Sequence, residues 1–207
     1  MTKQKQNNEH YFAANPKAIA KFGVIQTSLR GKSFEFLTSS SVFSKKRVDT
    51  GTRILIEAMI LPKTGSLLDV GCGYGAVGIA AAAFNPALRV IMSDINIRAI
   101  RLTRDNIQRN KLSNAEVRHG YLYEPVEDLT FNCVLSNPPV SAGMELVKAA
   151  IAEAPKIMAE KATLQMVVRS KIGGKILPAI FTDTFDNCKV LARESGYRVL
   201  LGQKQSL

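Results

Sequence analysis

The chain has 207 residues, 46% of them apolar, with 28 Lys and Arg against 17 Asp and Glu for a net charge of +11 at pH 7. Length and apolar share predict a folded globular protein: one α/β domain over 49–207, preceded by a polar tail and small attachment over 1–48. The basic excess points to a polyanionic partner, most simply nucleic acid, and no apolar run reaches the roughly 18–20 residues that span a bilayer.

Three cysteines, Cys72, Cys133 and Cys188, are odd in number and fit neither a zinc site nor a disulfide framework. The expectation is a reduced, metal-free, cytoplasmic protein. The first residues are polar, without a hydrophobic signal region.

Taken in order, residues 23–38 alternate in places about Arg30-Gly31-Lys32, which predicts a β-hairpin. This leader is basic at Lys17, Lys21, Arg30 and Lys32, and again at Lys45, Lys46 and Arg47. Such charges serve either as a solvated face or as a contact surface for RNA. Asp49 or Thr50 can cap a helix with Ile54, Leu55, Ala58, Met59 and Leu61 on its apolar face, ended by Pro62 and Gly65. An apolar run at Leu67, Leu68 and Val70 then ends in Asp69 and the glycines Gly71, Gly73, Gly75 and Gly78, followed by an alanine-rich helix over 79–84. Further strands are predicted over 88–93, 115–119, 131–136 and 164–168, and helices over 97–110 and 144–158, with Pro155 breaking the latter late. A short helix within 172–185 precedes two strands, 189–192 and 197–201, about a turn at Glu194-Ser195-Gly196. The result is a Rossmann-like, mainly parallel seven-stranded sheet with helices on both faces, a C-terminal antiparallel hairpin and a small N-terminal β-hairpin extension. Asp69, Asp94, Gly120-Tyr121 and Asn137 all fall at strand C-termini, the edge where such sheets bind ligands.

Strand, glycine turn, helix is the first unit of a nucleoside-binding domain. Gly73-x-Gly75-x-x-Gly78 also matches the dinucleotide fingerprint of dehydrogenases. Asp69 argues against that reading, because a carboxylate beside the turn repels a pyrophosphate and welcomes a cation. S-adenosyl-L-methionine carries a sulfonium and an ammonium and no phosphate. Asp94 can accept both ribose hydroxyls of an adenosine, or cap the following helix.

Ser136-Asn137-Pro138-Pro139 supplies the chemistry. Two prolines fix φ and remove two N–H donors, leaving a rigid turn that presents acceptors. The Asn137 amide oxygen and the Pro138 carbonyl can hold both protons of an exocyclic NH₂. That grip favours a pyramidal nitrogen and stabilises the positive charge that develops on methylation. No histidine is placed to act as a base: His10 is in the tail and His119 ends a strand.

Asp69-Val70-Gly71-Cys72-Gly73-Tyr74-Gly75 resembles motif I of the class I methyltransferases. Together with Val42-Phe43-Ser44, Asp49-x-Gly51-Thr52, Asp94-Ile95-Asn96, Asn137-Pro138-Pro139 and Gly196-Tyr197-Arg198-Val199, it resembles the RsmC-like methyltransferase small domain family, from about Lys32 onward. That family includes ribosomal RNA guanine-N2 methyltransferases and single-domain archaeal relatives. The resemblance implies that Phe43 and Thr52 close over S-adenosyl-L-methionine. It implies a cofactor site of Asp69, Gly71, Cys72, Gly73, Gly75, Asp94, Ile95, Tyr121 and Asn137, and a catalytic turn of Asn137, Pro138 and Pro139. Two positions depart from the pattern. Val140 stands where many amino methyltransferases have an aromatic that stacks on the base, and Tyr121 where relatives often place an acid for the adenine amine. The leading expectation is methylation of guanine N2 in ribosomal RNA, as naked RNA or in a small-subunit particle. Alternatives are tRNA, a protein glutamine, or a non-catalytic RNA-binding module on the same fold.

Overall fold

The computed structural model describes residues 22–39, 47–138 and 143–206. Phe43, Pro139 and Val140 lie outside the described residues, as do Lys17, Lys21, Lys45 and Lys46.

Five strands run parallel: β3 (Gly65–Val70), β4 (Leu88–Asp94), β5 (Ala115–His119), β6 (Phe131–Ser136) and β7 (Met158–Arg169). β9 (Tyr197–Gln203) pairs antiparallel with both β7 and β8 (Lys189–Glu194), completing a seven-stranded sheet in the order β5-β4-β3-β6-β7-β9-β8. The chain moves outward from β3 to β5, then returns to place β6 on the other side of β3. That reversal opens a crevice at the carboxyl ends of β3 and β6.

One sheet face is covered by α1 (Thr50–Ala58), α2 (Ala76–Phe84) and α3 (Ile97–Arg109), the other by α4 (Met144–Glu153) and α5 (Leu177–Phe185). Parallel strands covered on both faces are apolar on both, which is why Leu67 and Leu68 are adjacent and both buried. Gly78 lets α2 lie close: a Cβ there would meet Met92 Cγ and Sδ at 2.5 Å.

The hairpin of β1 (Phe22–Leu29) and β2 (Lys32–Ser39) packs on the α1–α3 face, with Ile25, Leu29, Phe34 and Phe36 in the same apolar cluster as α1 and α2. Asn106 of α3 bonds to it in both directions: Leu37 N–H donates to Oδ1 at 2.7 Å, and Nδ2 donates to Leu37 C=O at 2.9 Å. The same Nδ2 donates to Tyr74 C=O at 2.9 Å, so one buried amide ties the hairpin to the glycine turn.

The hairpin's basic tip is committed to the fold. Arg30 Nη1 donates to Met59 C=O at 3.3 Å and Lys32 Nζ to Ala83 C=O at 2.6 Å, with both cations near the Phe84 ring. α2 starts at the carboxyl edge of the sheet and ends at the amino edge, so this tip sits away from the crevice. The sequence left Arg30 and Lys32 open between a solvated face and an RNA contact surface; in the structure they satisfy carbonyls at and beyond helix ends.

Other elements differ in length from the sequence expectation. α1 stops at Ala58 because the buried Gln165 pairs with the Ile60 backbone, accepting its N–H at 2.8 Å and donating to its C=O at 2.7 Å. α4 stops at Glu153, and a 3₁₀ turn containing Pro155 leads into β7 at Met158. β7 has 12 residues, longer than predicted, with Lys161 in the left-handed region at φ 60°. The polar stretch Glu160-Lys161 concealed the first part of this strand.

Asn106→Ala removes three of these contacts from a buried amide. The expected loss is about 1–3 kcal/mol of stability, the usual consequence of unpairing buried polar groups. A urea midpoint equal to wild type would contradict the assigned role.

Candidate functional site

A cavity of about 560 Å³ opens at the carboxyl edge, lined by residues from the ends of β3, β4, β6 and β7 and the start of α1. Asp69, Gly71, Cys72, Gly73, Asp94, Ile95, Tyr121, Asn137 and Pro138 all line it, and so does Thr52. Gly75 caps α2 in the left-handed region at φ 89°.

Two carboxylates fold the glycine turn. Asp69, 1% exposed, accepts the Gly78 N–H through Oδ2 at 2.9 Å. Asp94 accepts the Gly73 N–H through Oδ2 and the Asn96 N–H through Oδ1, both at 2.8 Å. Gly71 and Cys72 donate their N–H groups to Ser93 C=O at 2.8 and 2.9 Å. At Gly71, φ is +71° and a Cβ would meet nothing within 4 Å, so the position combines a left-handed backbone with open space beside it. Ligand room is a reason for Gly71, whereas helix packing is the reason for Gly78.

Burial sets the acid–base character of these groups. Desolvation raises the Asp69 pKa from 3.8 to about 7, against the Gly78 hydrogen bond and with help from the neighbouring Asp94 charge. Desolvation raises Asp94 as well, opposed by backbone donors and His119. Burial also holds the Cys72 thiol well above its ordinary range and Cys133 up at about 12, so neither is a ready thiolate. Among the described lining residues the carboxylates are Asp49, Asp69 and Asp94, and the one Lys or Arg is Arg169. The cavity therefore suits a cationic ligand and disfavours a pyrophosphate.

Asn137 follows the last residue of β6, where Ser136 Oγ donates to Val70 C=O at 3.1 Å and holds the two strand ends together. Its Nδ2 donates to Thr52 Oγ1 at 2.8 Å and to Asp49 Oδ2 at 3.3 Å. Asp49 Oδ2 also accepts the Gly51 and Thr52 N–H groups at 2.9 and 3.2 Å as the N-cap of α1. An oxygen already accepting two backbone donors requires a donor from Asn137, which fixes the amide orientation. Asn137 Oδ1 and the Pro138 carbonyl have no hydrogen-bond partner among the described residues. From sequence, Asp49 is a possible helix cap and part of the family-like Asp49-x-Gly51-Thr52 segment, but it is not among the expected site residues. Its spacing from Thr52 carried the cap, but nothing in sequence linked it to Asn137, 88 positions away.

The sequence pattern of the methyltransferase small domain family matches residues 33–201. The chain belongs to that family. It is a family of S-adenosyl-L-methionine-dependent methyltransferases. An uncharacterized protein of Bacillus subtilis, YbxB, is 32% identical over 199 residues, covering 95% of this chain and 99% of YbxB. Ribosomal RNA small subunit methyltransferase C of Aeromonas hydrophila is 31% identical over 186 residues, covering 88% of this chain and 53% of that protein. A solved Thermus thermophilus 16S rRNA N2 G1207 methyltransferase, RsmC, in complex with AdoMet and guanosine, superposes with a TM-score of 0.81 at 20% identity over 92% of this chain and 52% of its own. The chain thus spans about half the length of the RsmC relatives it matches. Among the described residues no helix is long and apolar enough to cross a membrane.

In this methyltransferase small domain the raised Asp69 pKa has a consequence for stability. Its folded value lies above the unfolded one, so its contribution is fully present below about pH 4 and is lost as pH rises through about 7. Asp69→Asn keeps an acceptor for Gly78 N–H and removes the titration. Between pH 5 and 8 the ligand-free wild type is expected to lose more stability than Asp69→Asn in urea titrations. Parallel pH profiles for the two proteins would contradict the assignment.

Proposed function

We propose that the chain methylates an exocyclic amine of an RNA base, with guanine N2 of ribosomal RNA as the substrate. The observation that carries this reading is the Asn137 amide, held by Asp49 and Thr52 with Oδ1 left for a donor on the substrate.

Asp94 is assigned the ribose hydroxyls, since a carboxylate with two backbone donors retains lone pairs for more. Gly71 and Gly73 give the ligand room against the backbone, and Tyr121, 44% exposed at the rim, is assigned the adenine face. Ile95 and Cys72 complete the wall around it. Asp69 acts through its charge, since its oxygens are enclosed by the protein. S-adenosyl-L-methionine supplies the methyl group.

Asn137 Oδ1 and Pro138 C=O accept the two N–H bonds of the amine, which aims its lone pair away from the base plane. As the new N–C bond forms the nitrogen becomes positive, and the two oxygens stabilise that charge where it develops. One proton then leaves to water. Donation of the Asn137 NH₂ to a carboxylate polarises the amide and makes Oδ1 a stronger acceptor. RNA relatives with the same fold, a net charge of +11 and the amine-directed turn all favour RNA over a protein amide.

Ribosomal RNA from a strain lacking the gene, incubated with labelled S-adenosyl-L-methionine and digested, is expected to yield labelled N2-methylguanosine. Label in a ribose or ring-nitrogen product contradicts the amine assignment. Asn137→Ala is expected to slow transfer by about 10²–10³ with unchanged cofactor affinity. Asp49→Ser retains a good helix cap but loses the carboxylate that orients Asn137. It is expected to keep the wild-type urea midpoint and to lose about ten-fold or more in rate, as expected for one hydrogen bond to a charged group. A wild-type rate in Asp49→Ser would confine Asp49 to capping.

A further inference from the structure

The chain between β7 and α5 forms a rim beside the methyl-acceptor end of the cavity. It is pinned to the β8–β9 turn: Ser170 N–H donates to Gly196 C=O at 2.9 Å, and Arg198 Nη1 donates to Gly174 C=O at 2.8 Å. Arg169 and Ile172 line the cavity, and Arg169 Nε donates to Tyr197 OH at 3.0 Å.

Arg169, Lys171 and Lys175 are exposed on this rim, and among the described residues none of them forms an ion pair with an acid. Arg193 is exposed too, opposite Arg198 across the strand pair, which puts it on the face of the sheet where Arg198 meets the rim. The exposed Glu194 is the acid nearest in the chain, opposite Tyr197. Several cations elsewhere are committed, Arg89, Arg109, Arg118 and Lys148 to carboxylates and Arg30, Lys32 and Lys204 to backbone carbonyls, while others such as Arg101 and Arg104 of α3 are exposed but do not line the cavity. Next to the rim's two lysines in the chain are two exposed apolar side chains, Ile172 at 48% and Ile176 at 52%.

Lys171 and Lys175, exposed and without an ion-pair partner among the described residues, stand with Arg169, held over the Tyr197 ring, beside exposed apolar groups, and this mixture matches a single-stranded nucleic acid, whose charge lies on the backbone and whose unstacked bases have apolar faces. A folded acidic protein would match the charge but would not need apolar groups at every fourth position. We infer that residues 169–176 are the docking rim for a single-stranded or looped segment of the RNA substrate, with phosphates on Arg169, Lys171 and Lys175 and bases flanking the target packed on Ile172 and Ile176. This rests on the RNA reading above. It also moves the RNA contact away from Arg30 and Lys32, at the opposite edge of the sheet.

The test compares two double variants that remove equal charge. Lys171→Ala/Lys175→Ala lies on the rim, whereas Lys63→Ala/Lys189→Ala lies at the amino edge, just before β3 and at the start of β8. The probes are a fluorescent single-stranded RNA of about 20 nucleotides for binding and ribosomal RNA from the deletion strain for methyl transfer. For the rim variant, RNA affinity is expected to fall about ten-fold at about 0.1 M salt, and the slope of log K against log salt to flatten by about 1.4, or roughly 0.7 per lost phosphate contact. S-adenosyl-L-methionine affinity, which reports that the fold is intact, stays at wild type in both variants. The amino-edge variant is expected to bind RNA within about two-fold of wild type. Equal losses in both variants, or no loss in the rim variant, overturns the rim while leaving the methyl-transfer reading untouched. A wild type that binds RNA and S-adenosyl-L-methionine but transfers no methyl group overturns the enzymatic reading, and the same binding comparison still decides the rim.

Discussion

Two carboxylates at neighbouring strand ends, Asp69 buried and Asp94 half-buried, shape the carboxyl edge of this sheet. Asp69, one residue before the end of β3, has one oxygen on Gly78 N–H, and Asp94, the last residue of β4, has one oxygen on Gly73 N–H. Between them they hold both limbs of the glycine turn and so set the start of α2. Backbone donors offset part of the desolvation, but both carboxyls remain harder to ionise than in water. The cavity they border has three carboxylates and one guanidinium among its described lining side chains. That lining is short of positive charge, which is the basis for assigning a ligand with a sulfonium and an ammonium to it.

Across the cavity a third carboxylate does two jobs with one oxygen. Asp49 caps α1 and fixes the amide of Asn137, so the helix start and the Asn137-Pro138 turn form one unit. The hairpin contributes from behind. Asn106 links Leu37 of the hairpin to Tyr74 of the glycine turn, and Arg53 of α1 donates to Ser28 C=O and Thr27 Oγ1. The glycine turn, the Asn137 turn and the hairpin are therefore coupled through short polar contacts over an apolar cluster. Of the N-terminal basic charges, Arg30 and Lys32 serve this coupling by fastening the hairpin tip to carbonyls at the amino edge.

Much of this was legible in sequence where a signal is local. The run Leu67-Leu68 ending in Asp69 and glycine, Arg30-Gly31-Lys32 between alternating stretches, and Glu194-Ser195-Gly196 each specify a turn through a few adjacent residues. The mainly parallel sheet and the gathering of Asp69, Asp94 and Asn137 at one edge followed from alternating strands and helices. What escaped depends on partners distant in the chain. Gln165 ends α1 by pairing with Ile60, 105 positions away. Asn106 looked like one polar residue of an Arg- and Asn-rich helix, and its three bonds exist only once the hairpin folds over it. Whether Lys32 faces a phosphate or Ala83 C=O cannot be read from composition, because charge says nothing about direction.

The central claim is that the edge cavity is short of positive charge and takes S-adenosyl-L-methionine as the cation that completes it. A cationic ligand should therefore drive Asp69 from its protonated to its ionised form on binding. Calorimetry of S-adenosyl-L-methionine binding near pH 6.5, in buffers of different ionisation enthalpy, counts the protons exchanged. Comparison with Asp69→Asn cancels the ligand's own titration. The account predicts that wild type releases more protons than Asp69→Asn, by up to about one per site. Equal proton exchange in the two proteins, or a net uptake specific to wild type, would contradict it.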